Sequence, residues 1–241
     1  MKQFFKKHRH RIFGGSQVVD RDRIVLEWIK GLPPGKKLLD AGAGPQRFRP
    51  AAAHLKYLSQ DFGNYCGGDL FAGEVLEKWD STKCDVISDI TNIPLPDGDI
   101  DYILCTEVLE HLPNPAAALA EFSRLVKEGG RILITAPFNS QYHQTPYFYF
   151  SGFSSEFYKH YSEKFGLTVS RLIPIGDYYQ SLTQELLRLP FLGSNILLRF
   201  LVTVLIGPAV AANLIMHKLK IPCPIAPFGY AVELEKNVRA Y

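Results

Sequence analysis

Leu38-Leu39-Asp40-Ala41-Gly42-Ala43-Gly44-Pro45 is an apolar pair that runs into a carboxylate and then a glycine-rich turn. That order suits the end of a buried β-strand followed by a loop whose glycines let the backbone approach a ligand closely. Further short apolar runs follow: 55–60 ending in Asp61, 85–88 ending in Asp89, then 100–104 and 131–135. Helical or loop segments lie between them, and this alternation predicts an α/β fold built on a mostly parallel, doubly wound sheet covered on both faces. One helix is well signalled, with Asn114 as N-cap, Pro115 at its first position, Leu119, Phe122 and Val126 at helical spacing, and Gly129-Gly130 as the stop. Ile24, Val25, Trp28, Ile29 and Leu32 predict a helix before the sheet, and Phe157, Tyr161 and Phe165 one after it that ends at Gly166. The aromatic stretch 142–157 is too irregular for a strand and reads as a long loop over the sheet.

In doubly wound sheets the ligand crevice lies outside the carboxyl ends of the strands. The dinucleotide pattern Gly-x-Gly-x-x-Gly fails here, because Arg47 stands at the third glycine position. Asp61 follows Gly42 by 19 residues, at the end of the second strand, where a carboxylate can hold both hydroxyls of a ribose. Asp40 precedes the glycines, where its charge would repel a pyrophosphate but not a sulfonium compound carrying an amino acid. Asp97, Asp99 and Asp101 read as a turn between strands with no ligand role.

LLDAGAG at 38–44, YLSQD at 57–61, DVISDITNIPLPDGDIDYILCTEVLEHL at 85–112 and LVKEGGRILITAPF at 125–138 together resemble the class I S-adenosylmethionine-dependent methyltransferases, in particular the broad subgroup acting on small molecules. The resemblance implies a Rossmann-like, seven-stranded sheet whose late antiparallel strand Gly229–Glu235 would supply, with S-adenosyl-L-methionine as cofactor. It implies that Asp40, Gly42 and Gly44 line the methionine part, that Asp61 binds the ribose, that Asp89 and Ile90 flank adenine, and that Cys105 and Thr106 supply backbone under the methyl centre. His111 and His143 are the candidate catalytic residues near the mouth. Glu107, Glu110 and His111, at i, i+3 and i+4, would share a helix face that His143 approaches. Some magnesium-dependent family members use a similar set, but the same string is common in methyltransferases without a metal, and no metal ligand is assigned. The fourth strand ends in Cys105-Thr106-Glu107, not in the Asn/Asp-Pro-Pro-Tyr loop typical of enzymes that methylate nucleic-acid bases.

The 241 residues divide into a basic tail at 1–19, a cofactor-binding core at 20–180, an apolar helical insertion or cap at 181–227, and a last strand with its tail at 228–241. Hydrophobic residues make up 46% and charged residues 21%, which excludes global disorder. Residues 1–11 carry five Lys or Arg and no acid, so the body is nearly neutral, and nucleic acid is not an expected partner. Cys66, Cys84, Cys105 and Cys223 show no Cys-x-x-Cys spacing, which suits free thiols in a reducing cytosol. Phe200–Met216 is a run of 17 uncharged residues interrupted by Gly207-Pro208. A proline there predicts two short helices packed on the domain or lying in a membrane interface. Together with the basic tail this points to peripheral contact with the inner face of a membrane. The expected activity is direct in-line methyl transfer to a small-molecule or lipid-linked acceptor. The rivals are a catalytically silent cofactor-binding or scaffold protein and a nicotinamide-dependent dehydrogenase. Oligomeric state is left open.

Overall fold

The computed structural model describes residues 15–65, 80–192, 195–219 and 226–238. The basic stretch Met1–Arg11, with Cys66 and Cys223, lies outside them. In chain order the elements are α1 (Gly15–Lys30), β1 (Lys37–Ala41), β2 (Lys56–Asp61), β3 (Val86–Ile87), β4 (Ile100–Thr106), α2 (Pro115–Leu125), β5 (Val126–Pro137), α3 (Ser155–Lys164), β6 (Leu167–Ile175), α4 (Tyr178–Leu192), α5 (Ile196–Lys218) and β7 (Gly229–Lys236). One seven-stranded sheet has the order β3-β2-β1-β4-β5-β7-β6. Pairings among β1 to β5 are parallel, whereas β7 runs antiparallel to both β5 and β6.

The apolar runs follow from burial on both faces. Successive side chains of a strand point to opposite sides, so doublets such as Leu38-Leu39 and Ile132-Leu133 serve two cores at once. Leu38, Leu104, Leu133 and Ala231 pack with Val25, Ile29 and Leu32 from α1 and its end on one face. Leu39, Ile103, Ile132 and Val232 pack with Leu119 and Phe122 of α2 and Tyr158 of α3 on the other. Helix α2 starts where its cap is, since the Asn114 side chain accepts the Ala117 amide at 3.2 Å. Asp97, Asp99 and Asp101 brace the turn before β4 through Arg124, Lys37 and Lys127 respectively.

Three expectations need correction. Helix α1 begins at Gly15, inside the stretch assigned to the tail. Helix α2 stops at Leu125, and β5 already begins at Val126, which pairs with Ile100 of β4 before a register shift carries the chain past Gly129-Gly130 to Arg131. Helix α5 is continuous across Gly207-Pro208, 23 residues long. A proline inside a helix removes one hydrogen bond, and here neighbouring turns carry the helix past it.

Candidate functional site

All five parallel strands and β6 present their carboxyl ends on one edge, and the switch in strand order between β1 and β4 opens the crevice there. Gly42 (φ +74°) turns the chain out of β1, and its amide donates to the Gln60 backbone oxygen at 2.9 Å and to the Gln60 Oε1 at 3.2 Å. A Cβ on Gly42 would lie 2.4 Å from the Val108 Cγ2, so the loop is packed too tightly for any side chain. Asp61 gathers the other side of the loop, with Oδ2 accepting the Gly44 amide at 2.9 Å and Oδ1 the Gly63 amide at 3.1 Å. Each carboxylate oxygen keeps a second lone pair, enough to accept both hydroxyls of a ribose. Asp40 is 2% exposed and accepts the Tyr57 hydroxyl at 2.5 Å, and burial pushes its carboxyl up to about 6. Asp89 is exposed at the end of β3, where its Oδ1 accepts the Thr91 amide and hydroxyl, both at 2.8 Å, and Ile90 is buried beside it. Cys105 is buried in β4, and Thr106 pairs with Thr135 at the strand end.

The chain then turns sharply. Glu107 has φ +54°, and its side chain is taken by Arg21 of α1 at 3.1 Å and by the Thr135 hydroxyl at 2.9 Å. Leu109–His111 is a single 3₁₀ turn, so Glu107 does not share a helix face with Glu110 and His111 as the spacing suggests. Glu110 is buried, and that burial, with the charge of Glu107 second, holds its carboxyl well above the usual range. The Nδ1 of His111 faces the Tyr147 carbonyl at 2.7 Å, and that of His143 faces the Gln141 carbonyl at 2.7 Å. A carbonyl can only accept, so in each neutral ring Nδ1 carries the proton and Nε2 the lone pair. Burial pushes His111 down to about 4, which keeps it neutral. The two rings stand 5.0 Å apart at 80°, and one ligating atom each from Glu110, His111 and His143 lies within 4.8 Å of the others. Glu110 Oε2 and His111 Nε2 are buried without a hydrogen-bond partner among the described residues.

The long loop after β5 brings His143 there. The amides of Tyr149 and Phe150 both donate to the Glu110 carbonyl, at 3.0 and 3.1 Å. The Tyr147 ring reaches across the crevice to Phe62 and Tyr65 beyond β2, with centroids 5.8 and 6.0 Å apart. Val108, against Gly42, joins the glycine loop to the histidine pair. An open surface hollow of about 650 Å³ on the outer flank of that loop, lined by Gly44, Gln46, Arg49 and Lys83, contains neither Asp61 nor either histidine.

Thus Asp40, Gly42, Gly44, Asp61, Cys105 and Thr106 converge on one crevice, Asp89 and Ile90 stand at its β3 side, and His111 with His143 forms a second cluster at its mouth. Sequence reasoning missed Gln60, which ties the Gly42 amide to the Ser88 carbonyl at 2.7 Å through its own Nε2. Its signal was a polar residue at an inward strand position just before Asp61. Arg21 was also missed, and no local pattern marks a guanidinium on α1 that meets a carboxylate 86 positions away. Arg47, which breaks the dinucleotide pattern, pairs with Asp22 at 3.1 Å.

A glycine loop closed to any side chain, a carboxylate at the end of β2, a β3-β2-β1-β4-β5-β7-β6 sheet and a polar mouth fit an amino-acid nucleoside sulfonium. Residues 39–134 match the family model described as a methyltransferase domain. Over these residues the chain is similar to the class I S-adenosylmethionine-dependent methyltransferases, whose cofactor is S-adenosyl-L-methionine. The chain is 29% identical over 131 residues to the 2-methyl-6-phytyl-1,4-hydroquinone methyltransferase of Synechocystis, covering 51% of this chain and 39% of that one. It is 29% identical over 119 residues to the ubiquinone biosynthesis O-methyltransferase of Thiobacillus denitrificans, covering 46% of this chain and 49% of the other. The chain therefore spans half or less of the length of these relatives. A crystal structure of a S-adenosylmethionine-dependent methyltransferase from Archaeoglobus fulgidus superposes with a TM-score of 0.53 over 97% of this chain and 99% of that chain, and at 19% identity it speaks for the fold alone.

Proposed function

We propose that the protein transfers the methyl group of S-adenosyl-L-methionine to a hydroxyl oxygen of a small-molecule or lipid-linked acceptor that carries an unsaturated ring. The observation that carries this reading is the pair of imidazoles with Nδ1 fixed by backbone carbonyls, which leaves the Nε2 lone pair of His143 to take a proton, at the mouth of the cofactor crevice and below an aromatic loop. Bound S-adenosyl-L-methionine supplies a methyl group already activated on a sulfonium centre. The chain's part is to align the acceptor, exclude water and receive its proton, and alignment alone is worth roughly 7–11 kcal/mol. Tyr147 and Phe148 offer ring faces to a planar acceptor, and Phe148 lies 4.9 Å from the His143 ring. Among the relatives, two names refer to a hydroquinone methyltransferase and an O-methyltransferase of ubiquinone biosynthesis, which supports a hydroxylated ring. His143 is the proposed base, and removing a positioned base slows turnover by about 10²–10⁴. The test is methyl transfer from isotopically labelled cofactor to phenols and catechols, plain and prenylated. A His143→Ala protein with unchanged cofactor affinity and turnover slowed at least a hundredfold or so supports the proposal. Undiminished turnover in that variant removes His143 from the chemistry, and cofactor binding without transfer to any acceptor favours the silent scaffold.

A second reading rests on the convergence of Glu110, His111 and His143 within 4.8 Å. Two imidazole nitrogens and one carboxylate, both rings held by backbone carbonyls, suit a borderline divalent cation such as Zn²⁺ or Fe²⁺ better than Mg²⁺. Such an ion would act as a Lewis acid on the acceptor hydroxyl. Calorimetric titration with Zn²⁺ decides it: one equivalent bound by the wild type and none by His111→Ala supports a metal centre, and no heat in the wild type removes it.

A further inference from the structure

Helix α5 has no buried residue, although its 23 residues have a mean hydropathy of 1.9 over the most apolar window. The half-covered positions are Arg199, Val202, Ile206, Val210, Asn213, Met216 and His217, a stripe on the side that meets α4. Leu197, Phe200, Leu201, Val204, Leu205 and Ile215 are exposed, Leu205 at 69%. With Ile196, Leu198 and Leu214, which are also exposed, they cover an arc of about 200° on the side away from α4, wider than the single stripe of about 100° by which a helix docks on one protein partner. The polar side chains of the helix point the same way. Thr203 donates to the Arg199 carbonyl at 2.8 Å and Asn213 to the Ala209 carbonyl at 2.9 Å, so both are satisfied by the helix's own backbone. In hydrocarbon, polar groups must be satisfied internally in this way. The helix holds no acidic residue, and its charged groups are Arg199 near one end and Lys218 in the last turn. Basic ends around an apolar middle complement anionic headgroups around an acyl layer.

We infer that α5 lies in the interfacial layer of a lipid bilayer, parallel to its plane, with α4 between it and the sheet. A length of about 34 Å would also cross a bilayer, but both ends of α5 are held along α4. Few residues separate the two helices at one end, and at the other the His217 Nδ1 lies 2.6 Å from Asp177 Oδ2, just before α4. Helix α4 itself keeps a Glu185–Arg188 ion pair, which suits a helix between lipid and protein and not one in the acyl core. The hairpin follows the end of β6, on the same edge as the crevice, and Glu185 takes a hydrogen bond from Gln141 in the loop that carries His143. Insertion to the usual depth of about 5–10 Å therefore brings the site's mouth toward the acyl boundary, where a lipophilic acceptor concentrates. That last consequence rests on the methyl-transfer reading, and the docking itself does not.

The experiment uses the full chain, free and with vesicles of phosphatidylcholine alone or mixed with phosphatidylglycerol. The expected result is co-sedimentation that is stronger with the anionic vesicles and weakened by salt, with Leu201→Glu plus Leu205→Glu lowering the partition coefficient roughly a hundredfold. Both positions are exposed, so S-adenosyl-L-methionine binding by calorimetry stays unchanged and reports on the fold and on the cofactor reading separately. Tryptophans placed singly at Leu197, Leu205 and Ile215 should all be quenched by lipids brominated near the headgroup. Quenching that deepens only at Leu205 means a spanning helix and overturns the in-plane arrangement. A protein that ignores both vesicle types, or a soluble dimer in which these tryptophans are shielded, overturns the docking altogether.

Discussion

Asp40 and Gly42, two positions apart, fail in opposite ways when changed. Burial raises the Asp40 carboxyl from its ordinary value of 3.8 to about 6, so between those values the native protein holds a proton that the unfolded chain has released. Stability then falls as pH rises across that window and levels off above it, by about 3 kcal/mol in total from this group. Asp40→Asn should flatten that part of the profile, and urea unfolding of both proteins at about pH 4 and pH 7 measures it. A variant that keeps the wild-type slope removes Asp40 as its source. Gly42 is constrained by geometry and not by charge. Its φ of +74° and the 2.4 Å approach to the Val108 Cγ2 both oppose a side chain. Gly42→Ala should weaken cofactor binding at least tenfold, with the left-handed conformation alone costing about 1–2 kcal/mol. Adding Val108→Ala should recover only the steric part, and titration calorimetry of the single and double variants separates the two.

At the scale of elements, α2 and the loop after β5 position the second cluster. The Asn114 side chain satisfies one of the free amides at the start of α2. Asn114→Ala should lower stability by about 1 kcal/mol, and Asn114→Ser should restore most of it. Urea midpoints check this, and equal midpoints for wild type and alanine variant would show the cap to be idle. The loop has no repeating pattern, yet it is fixed by backbone bonds to Glu110 and by the Tyr147 ring against Phe62 and Tyr65.

For the whole molecule, cofactor binding and folding are linked, because Gly42 and Gly44, Asp61 and the end of β4 come together only in the folded sheet. S-adenosylhomocysteine at about a hundred times its dissociation constant should raise unfolding stability by ~2.7 kcal/mol. Asp61→Ala, which removes the acceptor for the Gly44 amide and the proposed ribose contact, should cut affinity by about 2 kcal/mol and shrink that gain in step. Thermal unfolding with and without ligand tests both, and a gain unchanged by the substitution would leave Asp61 as a strand-end cap only.

Local order was legible from the chain alone. The doublets of β1, β4 and β5 had to be strands buried on both faces, Asn114-Pro115 had to open a helix, and Gly42 and Gly44 had to release the backbone at a strand end, because each rests on the preferences of a few adjacent residues. The carboxylates that end β2 and β3 were legible for the same reason. Tertiary structure decided what depends on distant partners. The pairing of Val126 with Ile100 of β4, the diversion of Glu107 to Arg21 and the meeting of His111 with His143 each depend on pairing, packing or charge contributed by other segments. Helix spacing placed Glu107 beside Glu110 on paper, but a positive φ at Glu107 and a 3₁₀ turn after it turned the two carboxylates to different neighbours.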